Sequence, residues 1–141
     1  MSDFDLRGFL PYLLNQAAEA ASLDFQQYYK DRYGMLRTEW RVLFHLGIFE
    51  RMTASDISAR ARIHKTKISR AVSRLEARRF LERTRDMEDR RVEWLSLTQA
   101  GQAAYRDLRG VAARYDRALE EEIGADDMAA LKRILQVLAA R

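Results

Sequence analysis

From Arg60 to Arg79 the chain carries eight lysines and arginines and a single acid, Glu76, on a stretch whose apolar residues recur at helical spacing. Each residue of a helix turns about 100°, so between His64 and Arg78 the side chains of Ile68, Ala71, Val72 and Leu75 share one face, and that face anchors the helix. Thr66, Ser69, Arg70 and Ser73 then lie within roughly 70° of the opposite direction, with Lys67 and Arg74 at its flanks. Short hydroxyls at the centre and long cations at the edges suit a helix that enters a DNA major groove. The hydroxyls and Arg70 can reach base edges, while Lys67 and Arg74 can reach phosphates. Lys65, at the start of the same helix, is counted with this set. An ordinary solvated face mixes glutamates with its cations, and here only Glu76 appears.

The flanking segments complete a DNA-binding lobe. Thr53 can cap a short helix with Ile57 and Ala61 facing inward, and a turn at Arg62 and Ile63 leads into the basic helix, which makes a helix-turn-helix. After Phe80 the period changes to two extended stretches, Leu81 to Arg85 and Val92 to Leu97, around the charged segment 86–91, as expected for a β-hairpin. Between Arg51 and Trp94 there are 13 basic and 7 acidic residues, a net +6, while the rest of the chain, 12 against 14, is −2. A basic stripe on a near-neutral chain is the footprint of a phosphate-backbone binder. At the hairpin tip, next to Arg90, Asp89 stands two residues before Arg91. On an extended strand both side chains would share a face, where the carboxylate can orient the guanidinium for a narrow minor groove. The plainer reading of that pair is a surface salt bridge of little consequence.

Outside this lobe the pattern is helical. Leu10 to Tyr33 reads as a long helix stopped by Gly34, and Thr38 is the expected cap of a second helix that runs through Trp40, Val42, Leu43, Phe44 and Leu46 to Glu50. Thr98 is the expected cap of a helix to Ile123 ended by Gly124, with Ala104, Leu108, Val111, Tyr115 and Leu119 apolar. Asp126 is the expected cap of a last helix bearing Met128, Leu131, Ile134, Leu135 and Leu138. At 141 residues the chain has the length of one domain. The terminal helices carry more apolar surface than so small a middle section can cover, which points to a homodimer. The fold class expected is mainly α with a small β-hairpin wing (α+β): a winged helix-turn-helix lobe over about 36–98, with dimerisation helices over about 1–35 and 99–141.

Other function classes fare poorly. There is no cysteine, hence no disulfide, thiol sensor or cysteine-ligated metal. The two histidines, His45 and His64, fall on different expected helices, which leaves no signalled nucleophile and base, and the six glycines are isolated, which removes phosphate-cradling loops. Asp86, Glu88 and Asp89 are hemmed in by Arg85, Arg90 and Arg91 and match no calcium loop. Neither an enzyme nor a metal or cofactor site is expected. No apolar run approaches a membrane span and MSDFDLRG is not a secretory leader, so a cytoplasmic location is expected. The competing reading is a winged-helix module for protein–protein contact, which would not need the acid-poor face.

Over nearly its whole length the chain resembles the MarR family of bacterial and archaeal winged-helix regulators. The stretches that carry the likeness are TASDISARARIHKTKISRAVSRLEARRFLER and DRRVEWLSLTQAG, and within the second Asp89-x-Arg91 is followed by Leu95-x-Leu97-Thr98-x-x-Gly101. The resemblance implies a dimer built from the terminal helices, recognition helices in successive major grooves of a pseudo-palindromic operator, wings in the flanking minor grooves, and repression as the usual outcome. It carries DNA contact onto Thr66, Lys67, Ser69, Arg70 and Arg74, and the wing role onto Asp89 and Arg91. It also implies a small aromatic or anionic effector, for which Tyr29, Trp40, Phe44 and His45 are candidates with Arg41 as a cation nearby, although their spacing fits core packing equally well. Two departures from the family pattern are Arg62 and Arg79, where small or glycine residues are common. A left-handed backbone there costs a non-glycine residue about 1 kcal/mol, so a different local geometry is the alternative.

Overall fold

The computed structural model describes residues 3–141. A single 3-10 turn, Leu6–Gly8, precedes helices α1 (Leu10–Tyr33) and α2 (Arg37–Phe49); strand β1 (Arg51–Met52) leads to α3 (Ala54–Ala61) and α4 (Lys65–Ala77). Strands β2 (Leu81–Arg85) and β3 (Glu93–Leu97) follow, and then α5 (Gln99–Ile123) and α6 (Ala125–Ala139). Mainly α with a small hairpin wing is therefore the fold class, with one addition, since β1 pairs with β3 to make a three-stranded antiparallel sheet in the order β1-β3-β2. Two residues are too few to show a period, so β1 left no sequence signal.

The chain divides into two compact units, one running to Arg106 and the other from Asp107 to Arg141. The core of the first holds Val42, Leu43 and Leu46 of α2, Ile57 of α3, Ile68, Val72 and Leu75 of α4, and Leu81 and Leu95 of the hairpin. The hairpin register sets Leu81 opposite Leu97 and Arg83 opposite Leu95. Along α1 only Tyr29 is buried, and Leu10, Leu13, Leu14 and Leu23 are exposed, the first three together near the start of the helix. In the second unit Lys132 pairs with Asp116 at 2.6 Å and Met128 is buried, whereas Leu131, Ile134, Leu135 and Val137 stay exposed. Among the described residues no helix is long and apolar enough to cross a membrane.

Local chemistry accounts for most element ends. Gly34 adopts the left-handed conformation at φ 64° and its N–H bonds the Lys30 carbonyl, stopping α1. Thr53 and Asp56 form a reciprocal capping box at the start of α3. The Thr98 hydroxyl accepts the Gly101 amide at 3.1 Å and donates to the Arg79 carbonyl at 2.6 Å, so it caps α5 and ties it to the exit of α4. A Cβ at Gly101 would collide with the Phe80 carbonyl oxygen, which is why the Thr-x-x-Gly spacing ends in glycine.

Two expected caps do not hold. Helix α2 starts at Arg37 from Leu36, whose carbonyl accepts the Glu39 and Trp40 amides at 3.0 and 3.2 Å, so Thr38 lies inside the first turn and cannot cap it. Helix α6 starts from Gly124 rather than from Asp126. The Gly124 N–H closes α5 on Glu120 and its carbonyl opens α6 on Met128, which leaves no separate capping residue between the helices. Asp126 and Asp127 sit instead in the first turn of α6, where the helix dipole favours a negative charge.

Candidate nucleic-acid interface

Helices α3 and α4 are joined by a turn held from within. Ser58, half-buried, donates its hydroxyl to the Ile63 carbonyl at 2.6 Å, and Arg62 takes the left-handed conformation, φ 56° and ψ 47°. Arg79 after α4 also has positive φ, 65°. Both departures from small residues therefore keep the left-handed backbone. His64 caps α4, its Nδ1 accepting the Thr66 amide at 3.1 Å.

Ile68, Ala71, Val72 and Leu75 of α4 are buried, while Lys65, Thr66, Lys67, Ser69, Arg70, Ser73 and Arg74 are exposed. The helix thus offers one continuous face of cations and hydroxyls. Behind it lies a cleft of about 170 Å³ lined by Leu36, Thr38, Glu39, Lys67, Arg70, Ala71 and Arg74. Glu39 is 2% exposed, the one charged or polar residue buried among the described residues, and its carboxylate meets the Arg74 guanidinium at 3.5 Å. At the other end Arg78 donates to the Tyr33 carbonyl and lies under Gly34, joining the ends of α4 and α1.

The wing is fastened to α4 by one side chain. Arg83 of β2 bonds Glu76 at 2.9 Å, Glu93 of β3 at 2.8 Å and the Ser73 hydroxyl at 3.3 Å. These contacts, that with Glu93 foremost, hold the guanidinium pKa above its ordinary value. At the tip Arg85 donates to the Arg90 carbonyl at 2.8 Å, while Arg90 and Met87 point into solvent. Asp89 accepts the Arg91 amide at 3.0 Å and its guanidinium at 3.1 and 3.2 Å. The hydrogen bonds from Arg91 keep the Asp89 carboxyl below the usual aspartate value. The pair forms as expected but not on a strand: both residues lie in the turn before β3, and an Asx-type turn brings them together.

Among the effector candidates, Trp40, Phe44 and His45 line a cleft of about 260 Å³ with Arg41, Arg60 and Ala61. Tyr29 does not line it: it is buried against Phe25 and Trp40, and burial pushes its phenol up. Phe25 sits at the centre of this aromatic cluster, with ring centroids 5.3 Å from both Tyr29 and Trp40. His45 Nδ1 lies 2.6 Å from the Arg41 carbonyl and so donates to it, which leaves Nε2 as the outward nitrogen.

The MarR family model matches residues 33–92, from the end of α1 to the turn before β3. The homoprotocatechuate degradative operon repressor of Escherichia coli is 28% identical over 131 residues, 93% of this chain and 88% of that protein. A MarR family transcriptional regulator from Silicibacter pomeroyi is 28% identical with a TM-score of 0.85, covering 98% of both chains. NadR, solved in complex with 4-hydroxyphenylacetate, is 27% identical with a TM-score of 0.79, covering 99% of this chain and 98% of its own.

Proposed function

We propose that this chain, whose residues 33–92 match the MarR family model, is a sequence-specific DNA-binding transcriptional regulator of that family which grips a pseudo-palindromic operator as a homodimer and represses the adjacent genes. The observation that carries the reading is the exposed face of α4, acid-free from Lys65 to Arg74 and flanked by a wing that presents Arg90 and Arg91. In this reading Thr66, Ser69 and Arg70 read base edges, Lys65, Lys67 and Arg74 hold phosphates, and Arg91, oriented by Asp89, enters the minor groove. The exposed apolar residues of α1 and α6 are covered by a second copy, which sets two recognition helices about one helical turn apart. Such a regulator works in the cytoplasm and catalyses nothing.

The effector is a small aromatic acid, seated in the cleft of Trp40, Phe44 and His45 with Arg41 and Arg60 as cations. The aromatic walls accept a ring and the guanidiniums a carboxylate. NadR, with its bound 4-hydroxyphenylacetate, is a relative with a ligand of that class.

Selection of genomic DNA fragments by the purified protein at about 150 mM salt tests the function. Enrichment of a palindrome with half-sites about one turn apart is expected. A folded dimer that retains no duplex selectively, with or without aromatic acids, would leave a protein–protein module as the better reading.

A further inference from the structure

Glu76 is the one acid in the basic stretch from Arg60 to Arg79, and recognition of phosphates gives it no purpose, since a carboxylate there repels them. Its partner explains it. Arg83 reaches from β2 with all three guanidinium nitrogens engaged: Nε on Glu76, Nη2 on Ser73 and Nη1 on Glu93. Two of these acceptors belong to the recognition helix and the third to the other strand of the wing. Glu93 opens β3, directly after the turn that sets Asp89 against Arg91. A planar fork with fixed donor directions holds three acceptors in one relative orientation, which a lysine ammonium on a flexible stem does not.

We propose that Arg83 is a positioning residue for DNA readout, locking the wing to the recognition helix so that the major-groove and minor-groove contacts of one subunit keep a fixed register. The proposal rests on the DNA-binding reading above. Its consequence is a spacing rule: the A·T-rich flank that receives Arg91 must stand at one distance from the bases read by α4. Ser73 follows as a support of the wing rather than a reader of bases, although it lies on the exposed side of α4.

Two measurements test this, and the first needs no DNA. The chain has no cysteine, so spin labels on Met87→Cys at the wing tip and Ala77→Cys at the end of α4, diluted with unlabelled protein, report the distance between wing and helix within one subunit. A single narrow distribution is expected in the parent, broadened in Arg83→Lys and in the double variant Glu76→Gln/Glu93→Gln. An unchanged distribution in both overturns the lock. The second measurement compares the selected operator with one whose flanks are shifted by one base pair. The parent should lose about tenfold in affinity on the shifted flank and Arg83→Lys about twofold or less, with discrimination at the half-site bases intact. A merely structural role would weaken every duplex alike and leave the flank ratio unchanged, which would overturn the proposal. A parent that ignores its flanks while its wing is rigid would instead overturn the minor-groove role of the wing and leave the lock standing.

Discussion

The carboxylate of Glu39, buried beneath α4, lies 3.5 Å from the guanidinium of Arg74, more than half of whose side chain reaches solvent. The pair is asymmetric, because the acid has left water and the cation has not. Truncating Arg74 strands a buried charge, whereas neutralising Glu39 leaves a guanidinium that water can still serve. Arg74→Ala should cost about 1–3 kcal/mol of stability and Glu39→Gln less than about 1 kcal/mol. Urea unfolding of both single variants and the double variant checks this, and equal costs would contradict the asymmetry.

Lys67 and Arg70 both line the cleft over Glu39, but different losses are expected of them. Arg70→Ala should weaken binding and relax preference at the bases it reads, by about 1–3 kcal/mol. Lys67→Ala should weaken all sequences alike and make the salt dependence shallower by about one unit of slope. Titrations on matched and mismatched duplexes at several salt concentrations separate the two. Variants that bind like the parent would mean that another face of α4 meets DNA.

At Gly101 the obstacle is backbone, not side chain: an added methyl would meet the Phe80 carbonyl oxygen, whose partner is the Thr98 amide at 3.0 Å. Neither can move without parting α5 from the exit of α4. Gly101→Ala is expected to destabilise by about 3 kcal/mol or more, near the upper end for single substitutions. Thermal melting followed by circular dichroism measures it, and a parent-like melt would contradict the close approach.

Asp89 has a depressed pKa in the folded chain, so its contribution to wing order is present above the ordinary aspartate value of 3.8 and is lost only as pH falls through the lower folded value. The Arg91 Nε–H resonance should therefore stay constant from pH 8 to 5 and move only below 3.8. In Asp89→Asn the charge is absent at every pH, and the affinity for A·T-rich flanks should fall with the half-site preference preserved. A titration of that resonance between pH 5 and 7 would show that another group holds Arg91.

These features differ in how far the sequence discloses them. The two faces of α4 follow from spacing alone, because 13 residues sample the helical period several times over. Thr53, Thr98, Gly34 and Gly124 mark ends because each acts within four residues of itself. Thr38 and Asp126 mislead because a capping residue is recognisable only once the first turn is fixed, and Leu36 and Gly124 fix those turns by backbone alone. The burial of Glu39, the place of Phe25 among the aromatics and the reach of Arg83 depend on which elements pack together. That is long-range information with no local period. The Asp89–Arg91 pair was legible through its two-residue spacing even though a turn, not a strand, brings the partners together.

Trp40 gives the effector cleft its own reporter. Trp94, the only other tryptophan, lies on the central strand β3 and stacks under the Arg51 guanidinium, 4.1 Å from its ring centroid, so Trp94→Phe leaves emission from Trp40 alone. A single-ring aromatic carboxylate should quench that emission saturably, since its ring would lie against Trp40 and Phe44. Removing one cation of the pair that faces the carboxylate, in Arg60→Gln, should weaken binding about tenfold, the equivalent of about 1.4 kcal/mol for one charge-assisted hydrogen bond. Arg60 also covers the Phe49 ring at 4.2 Å, so the thermal stability of the variant must be measured beside its affinity. Quenching that is parent-like in Arg60→Gln would place the carboxylate on Arg41, and an absence of saturable quenching by any aromatic acid would return Trp40, Phe44 and His45 to plain core.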